Sequence, residues 1–424
     1  MSDRRGLPTG KNRSKFPGYV RFLSLLLIAL FLSTTYGCSE NPTATNEDNS
    51  PYANRNARLG LWLAKKSELI EHESAAFDLV MTAWFEPGEA ADIRERHPSV
   101  KLLAGLSLNW ISSDPEWQTL LVTVANSGDP GGPLQITDDM FLKVDENSDG
   151  ILDSRCAFPG WDDPAIYAMD PRHPGWQELI LGYYDAASNQ PHHDGVILDM
   201  LDAYPFCDGS WSQGIPVPLD ASTWVSGQEQ LLRLLRESIP EEKWIIANAG
   251  CGFPEGSPFP QYLNGYLLEN SLGAFCGLDM DKMLVSGQRA LESTNPPHIV
   301  VYAVDTDDTR EIDWPRFRTG LAASLLMDHT YFAFDFGPRD HGGVMDYWFP
   351  EYYNAALGDP IAPYSQENSA YYRYFEKGFV AAAVHAPITL SLDVPYIGLA
   401  TGASGTDFTV PQGDARIFLR EDDQ

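Results

Sequence analysis

The chain reads as an α/β protein built on a (β/α)8 TIM barrel. Three observations predict it. Eight short runs rich in apolar, β-branched or aromatic residues recur between Leu59 and Phe336. Helix-like stretches separate most of them, and a repeated strand-then-helix order implies a parallel sheet. Two of the runs, Asp194–Asp199 and Gly265–Glu269, end in a carboxylate, as strands do when they leave a barrel core at the face where active sites form. A doubly wound sheet is the alternative, but no glycine-rich phosphate turn follows the first run.

The eight expected strands are 59–64, 77–85, 101–108, 195–201, 244–248, 265–269, 298–304 and 331–336. Among the helices, 174–187 opens with Pro174 in its first turn and carries Trp176, Leu179, Ile180 and Tyr183 at helical spacing. Leu231, Leu232, Leu234 and Leu235 mark a second helix over 228–238, and Phe317, Leu321, Leu325 and Leu326 a third over 315–327. The stretch 110–170 is too long for one crossover and is expected to hold a hairpin insertion between strands 3 and 4. In it, Asp145, Asn147, Asp149 and Asp153 around Gly150 imitate a calcium loop. The twelfth position is Cys156 and not Glu, which favours an acidic β-turn over a calcium site. Past Gly378 short strands follow one another without helices, over 379–384, 388–392, 396–399, 408–410 and 415–419. The expected domains are therefore a barrel over 58–377 and a small antiparallel β-domain over 378–424.

The first 38 residues have the form of a lipoprotein-type signal peptide. A basic segment with Arg4, Arg5, Lys11, Arg13, Lys15 and Arg21 precedes the apolar run Phe22–Leu32, and Gly37-Cys38-Ser39 follows. Cys38 is the expected lipidation site and first mature residue, giving a membrane partner through an N-terminal lipid anchor in a bacterial cell envelope. Ordinary secretion and an uncleaved anchor are the alternatives. Residues 39–57 read as a polar tether. Export permits disulfides. Cys156, Cys207, Cys251 and Cys276 allow three pairings. Cys156–Cys207 and Cys251–Cys276 are expected because each joins neighbouring loops, with free buried thiols as the alternative. No CxxC or HxxxH spacing suggests zinc, and neither metal nor cofactor is expected. A formal charge of −30 argues against nucleic acid and against an anionic polysaccharide; a neutral or cationic sugar fits that field better.

Asp199 and Glu269 end the fourth and sixth expected strands. Alternate barrel strands direct side chains into one layer, so the two carboxylates are expected to meet across the mouth. Cleaving a glycosidic bond needs such a pair, one ionised and one protonated. A gap of about 5 Å goes with retention and one of about 6.5–9.5 Å with inversion. Candidate substrate contacts are Asn109, Asp202, Asn248, Asp305 and Asp335, with Trp62, Trp84, Trp110, Tyr204 and Trp348 as stacking platforms for sugar rings. Arg339, Asp340 and His341 follow the eighth strand on the same face, whereas His192-His193 precede the fourth and read as a turn. No GxSxG nucleophile elbow is present.

The run Asp194-Gly195-Val196-Ile197-Leu198-Asp199-Met200-Leu201-Asp202-Ala203-Tyr204 resembles the strand-four signature of glycoside-hydrolase barrels that include the endo-α-1,4-polygalactosaminidase-like proteins and a related group of hypothetical glycosyl hydrolases. Asn264 to Glu269 is similar to their second acidic element, and the segments 348–360 and 372–378 resemble the last barrel helix and the C-terminal sheet of the related group. The resemblance implies hydrolysis of O-glycosidic bonds in an extracellular polysaccharide, with Asp199 as nucleophile, Glu269 as acid/base and no cofactor. A non-catalytic, surface-anchored glycan-binding barrel is the alternative.

Overall fold

Eight parallel strands form one sheet: β1 (Gly60–Trp62), β2 (Leu79–Thr82), β3 (Lys101–Ala104), β4 (Gly195–Leu198), β5 (Trp244–Asn248), β6 (Gly265–Glu269), β7 (Ile299–Val304) and β8 (Thr330–Phe334). They neighbour one another in that order. A parallel bridge from Leu59 to Phe332 brings the first strand against the last, so the sheet is a nearly closed barrel. This computed structural model describes residues 55–63, 67–71, 76–145, 149–162, 164–201, 221–274, 276–337 and 340–423. The expected signal segment, Cys38 and most of the tether lie outside these residues. Within the tether, Asn56 is bonded to the body, donating to the Gly358 carbonyl at 2.6 Å.

Strand alternation divides the barrel into two cores, because successive side chains point to opposite faces. Leu79, Met81, Leu103, Ile197, Ile246, Leu267, Ile299, Val301, Ala303, Tyr331 and Ala333 fill the interior. Their neighbours Val80, Leu102, Val196, Leu198, Tyr266, Leu268, Val300 and Phe332 face outward into the helix layer. Space inside is tight at the first position of β4 and β6. A Cβ added to Gly195 would meet the Trp244 carbonyl, and one on Gly265 the Ile299 carbonyl. Helices Pro174–Ser188, Ala221–Ser238, Met280–Ser293 and Trp314–Leu326 cover the outside. Three of the four place Pro at N1/N2 or an Asp side chain at the N-cap, which satisfies the free N–H groups of the first turn.

Between β3 and β4 the chain builds more than the expected hairpin. It makes a helix over Pro115–Ala125 and five short strands. Trp110–Ser112 pairs with Ala165–Ala168, which pairs with Ala157–Asp162; a second ladder joins Lys143–Val144 to Ser154–Arg155. The Asp145 carboxylate accepts the backbone N–H groups of Asp149 and Gly150 at 3.0 and 2.7 Å, the bonding of a self-capped acidic turn.

The C-terminal sheet has six antiparallel strands: β9 (Ser365–Glu367), β10 (Ala370–Phe375), β11 (Gly378–Ala383), β12 (Ile388–Gly398), β13 (Ala403–Val410) and β14 (Asp414–Arg420). Their order is β9-β10-β11-β14-β12-β13. The sheet starts at Ser365, ahead of the boundary expected at 378, because β10 pairs with β11 from Ala370 to Phe375. The two strands expected over 388–392 and 396–399 are one, irregular between Ser391 and Tyr396 where its register shifts.

Candidate active site

The inward-facing positions continue past the last core residue of each strand, and there they become polar. Ile197 is followed two residues on by Asp199, Ile246 by Asn248, Leu267 by Glu269, Ala303 by Asp305 and Ala333 by Asp335. Period two alone thus collects these groups at one end of the barrel. Trp62, Asp199, Asn248, Glu269, Asp305 and His341 line a cavity of about 920 Å³ there.

One side chain ties the two acids together. The Asn248 amide nitrogen donates to Asp199 Oδ1 at 2.8 Å and to Glu269 Oε2 at 2.7 Å. Those oxygens are therefore no farther apart than about 5.5 Å, the two bonds laid end to end. The Asn248 carbonyl oxygen accepts the Gly250 N–H at 2.9 Å, so its NH2 must face the carboxylates. Trp62 Nε1 donates to Glu269 Oε1 at 3.1 Å, and the Met200 N–H to Asp199 Oδ1 at 2.9 Å. His341 Nδ1 and Asp335 Oδ2 are 2.8 Å apart, and the His341 ring meets Trp62 edge-on.

Backbone geometry at this end is unusual. Leu63, Met200 and Asn270, each directly after Trp62, Asp199 or Glu269, have φ of 49°, 54° and 56°. Asn tolerates this left-handed region; for Leu and Met it is strained, on the order of 1 kcal/mol or more each. The chain turns away as soon as each strand has delivered its side chain.

Electrostatics separates the two acids from ordinary surface carboxylates. Burial pushes the Glu269 carboxyl up to about 7, with the nearby Asp199 charge adding to the effect. Burial also raises Asp199, against the opposing bonds from Asn248 and the Met200 amide. Asp305 is pushed up to about 7, again by burial first. Burial disfavours a charged His341, yet the bonded Asp335 outweighs it and the ring's pKa is raised. Protonated His341 beside two acids stabilises whichever is ionised.

Other sequence-expected positions fall elsewhere. Trp84 faces the helix layer, since Met81 points inward and the alternation puts position 84 outside; its ring packs on Tyr183 and His193. Asn109 is buried and donates to Gln228 at 2.9 Å; β3 ends at Ala104, the chain touches β4 again through a bridge from Ser107 to Asp199, and Asn109 follows beyond it. Trp348 is 8% exposed and packs on Phe77 and Tyr353 in the outer core. Trp110 lines the cavity, although buried, with its ring against Phe158. Asp340 pairs with Arg310. His193 is buried and its Nδ1 lies 2.8 Å from the Ala187 carbonyl, as a turn residue. Asp202, Tyr204, Cys207 and Arg339 lie outside the described residues. Cys251 and Cys276 are disulfide-bonded and line the cavity, joining the loops after β5 and β6. Cys156 is also disulfide-bonded. Asp307 and Asp308, also in the cavity lining, had no strand-end signal in the sequence.

No protein-family model matches the chain, and no curated protein matches it. Among solved structures it is similar to the glycoside hydrolase domain of PelA from Pseudomonas aeruginosa, with 15% identity, a TM-score of 0.39, and coverage of 66% of this chain and 95% of that one. The PgaB (BpsB) glycoside hydrolase domain from Bordetella bronchiseptica gives 13%, 0.39, 66% and 93% in the same terms. An alpha-galactosidase AgaA variant from Geobacillus stearothermophilus gives 10% and 0.46, covering 87% of this chain and 56% of that one. Likeness at this level does not transfer an activity.

Proposed function

We propose that the protein is a retaining glycoside hydrolase acting on a glycan outside the cytoplasm, with an extracellular polysaccharide as the sequence-based expectation. Asp199 attacks the anomeric carbon and forms a glycosyl ester. Glu269 protonates the departing oxygen, then removes a proton from the water that cleaves the ester. The observation that carries this reading is the pair of acids bonded to one Asn248 amide, whose two bonded oxygens are at most about 5.5 Å apart. Retaining enzymes keep their carboxyl groups about 5–5.5 Å apart. A purely glycan-binding barrel has no need of such a gap, nor of an acid poised near neutral pH. The raised pKa of Glu269 suits a proton donor. His341, Asp305 and Trp62 would contact the bound sugar.

Purified protein incubated with a panel of neutral and amino-sugar polysaccharides is expected to release reducing ends from at least one. The first-formed product should keep the anomeric configuration of the substrate, read by NMR. Release of the opposite anomer would remove the nucleophile role, and silence across the panel would favour the binding reading.

The Cys251–Cys276 disulfide fits an oxidising compartment and agrees with export of the chain. Anchoring through Cys38 is expected to show as an intact mass beginning at that residue with added acyl chains. A mature N-terminus elsewhere, without lipid, would replace the anchor with simple secretion.

A further inference from the structure

The cavity above the acids has two chemically different parts. The barrel contributes Asp199, Asn248, Glu269, Asp305, Asp307 and His341, all able to bond sugar hydroxyls. The insertion contributes Ile111, Trp117, Leu121, Phe158 and Ile166. Trp117 and Leu121 share one face of the helix Pro115–Ala125, and Ile166 lies on the Trp110 face of the three-stranded sheet, packed with Phe158. Ile111 and Leu121 are nearly covered, so Trp117, Phe158 and Ile166 present most of the open apolar surface. The hydroxyls bordering this wall each accept a backbone N–H: Ser107 Oγ from Trp110 at 3.1 Å, and Ser112 Oγ from Asp114 at 3.0 Å.

A sugar ring fits such a wall poorly. An aromatic face can stack on a pyranose, but branched aliphatic side chains leave the equatorial hydroxyls desolvated and unpaired. An alkyl chain loses nothing there and gains with every methylene buried. The two parts belong to one cavity, whose volume of about 920 Å³ holds a sugar and a chain together.

Building on the glycosidase reading above, we propose that the insertion wall is the subsite for an aliphatic aglycone, so that the substrate is a lipid-linked glycoside. The sugar sits among the carboxylates and the chain along the wall. Asp199 displaces the aglycone oxygen from the anomeric carbon, that oxygen takes the Glu269 proton and leaves as an alcohol, and water then releases the sugar. The insertion, in this view, selects the leaving group.

The test is a chain-length series. Methyl, hexyl and octyl glycosides of the common hexoses and hexosamines, both anomers, are titrated calorimetrically into the Asp199→Asn protein below micelle-forming concentrations. Affinity is expected to rise about twofold to fourfold per methylene, so that octyl, seven methylenes longer, exceeds methyl by at least roughly a hundredfold. Trp117 is 38% exposed, so Trp117→Ser should fold normally. It should weaken octyl binding several-fold and leave methyl binding unchanged. Equal affinity across the series overturns the aglycone subsite. Wild-type turnover with no chain-length preference overturns it too, and leaves the hydrolase reading intact. Steep chain-length binding with no alcohol released by wild type, from any glycoside, has the opposite meaning: the subsite stands and the hydrolase reading falls.

Discussion

Replacing Asp199 with Ala is expected to reduce turnover by roughly 10³-fold or more, the order lost when a group that bonds to the substrate is removed. Folding should survive. The residue stands at the open end of the barrel, past the last interior residue of its strand, Ile197. Among the described residues its carboxylate bonds to the Asn248 amide and to its own neighbour's N–H. One Asn248 N–H loses its partner, at a cost of about 1 kcal/mol. Against this, a carboxylate whose charge burial disfavours is gone. The melting temperature should stay within a few degrees of wild type. Added azide, small enough for the vacated space, should restore part of the turnover and give a glycosyl azide of inverted configuration. Full activity in Asp199→Ala, or an unfolded chain, would remove this residue from the mechanism.

Glu269→Gln should change three measurements at once. Cleavage of substrates with poor leaving groups should fall about 10²–10⁴-fold, the usual contribution of a positioned proton donor. Activated aryl glycosides, whose leaving groups need no proton, should lose much less in the first step. The alkaline limb of kcat/KM, expected near the raised value of about 7, should disappear. Stability should move the other way. The Glu269 pKa rises from 4.5 to about 7 on folding, so the folded chain holds this proton more tightly than the unfolded one. That contribution is complete below pH 4.5 and is lost as pH climbs through 7. Gln cannot ionise and escapes the loss. The variant should therefore gain on wild type between pH 4.5 and 7 and remain more stable at pH 8, by an amount on the order of 2 kcal/mol. An alkaline limb that persists in Glu269→Gln would assign it to another group, with Asp305 the next to test.

Much of this site was legible because a strand alternates strictly. Once Ile197 and Leu267 are placed inward, Asp199 and Glu269 must follow them, and the same count brings Asn248, Asp305 and Asp335 to the same end. The count also carried a warning that residue type obscured: Trp84 is three positions past inward-facing Met81 and so belongs to the helix layer. Asn109 was misplaced because the apolar run beyond Ala104 looks like continuing strand. Gly105 packs directly against the Ile197 carbonyl, where a Cβ has no room, so the regular ladder stops there and only a single bridge from Ser107 to Asp199 follows. Trp348 gave no periodic signal to read; its place in an aromatic cluster depends on Phe77, far away in the chain.

The sequence by itself determined the barrel, its eight strands and the two acids at the ends of the fourth and sixth. These follow from local patterns, since hydrophobic period and turn chemistry act over a few residues. Only the tertiary structure decided that Asn248 is a strut between the acids, that Asp335 raises the His341 pKa, and that the insertion offers an apolar wall to the same cavity. The strut joins residues 21 and 49 positions apart, and even the His341–Asp335 contact, six residues apart, forms only after the chain has turned at the end of β8. The distances and electrostatics of such contacts are fixed by how the closed sheet brings separate strands together, which no local pattern encodes.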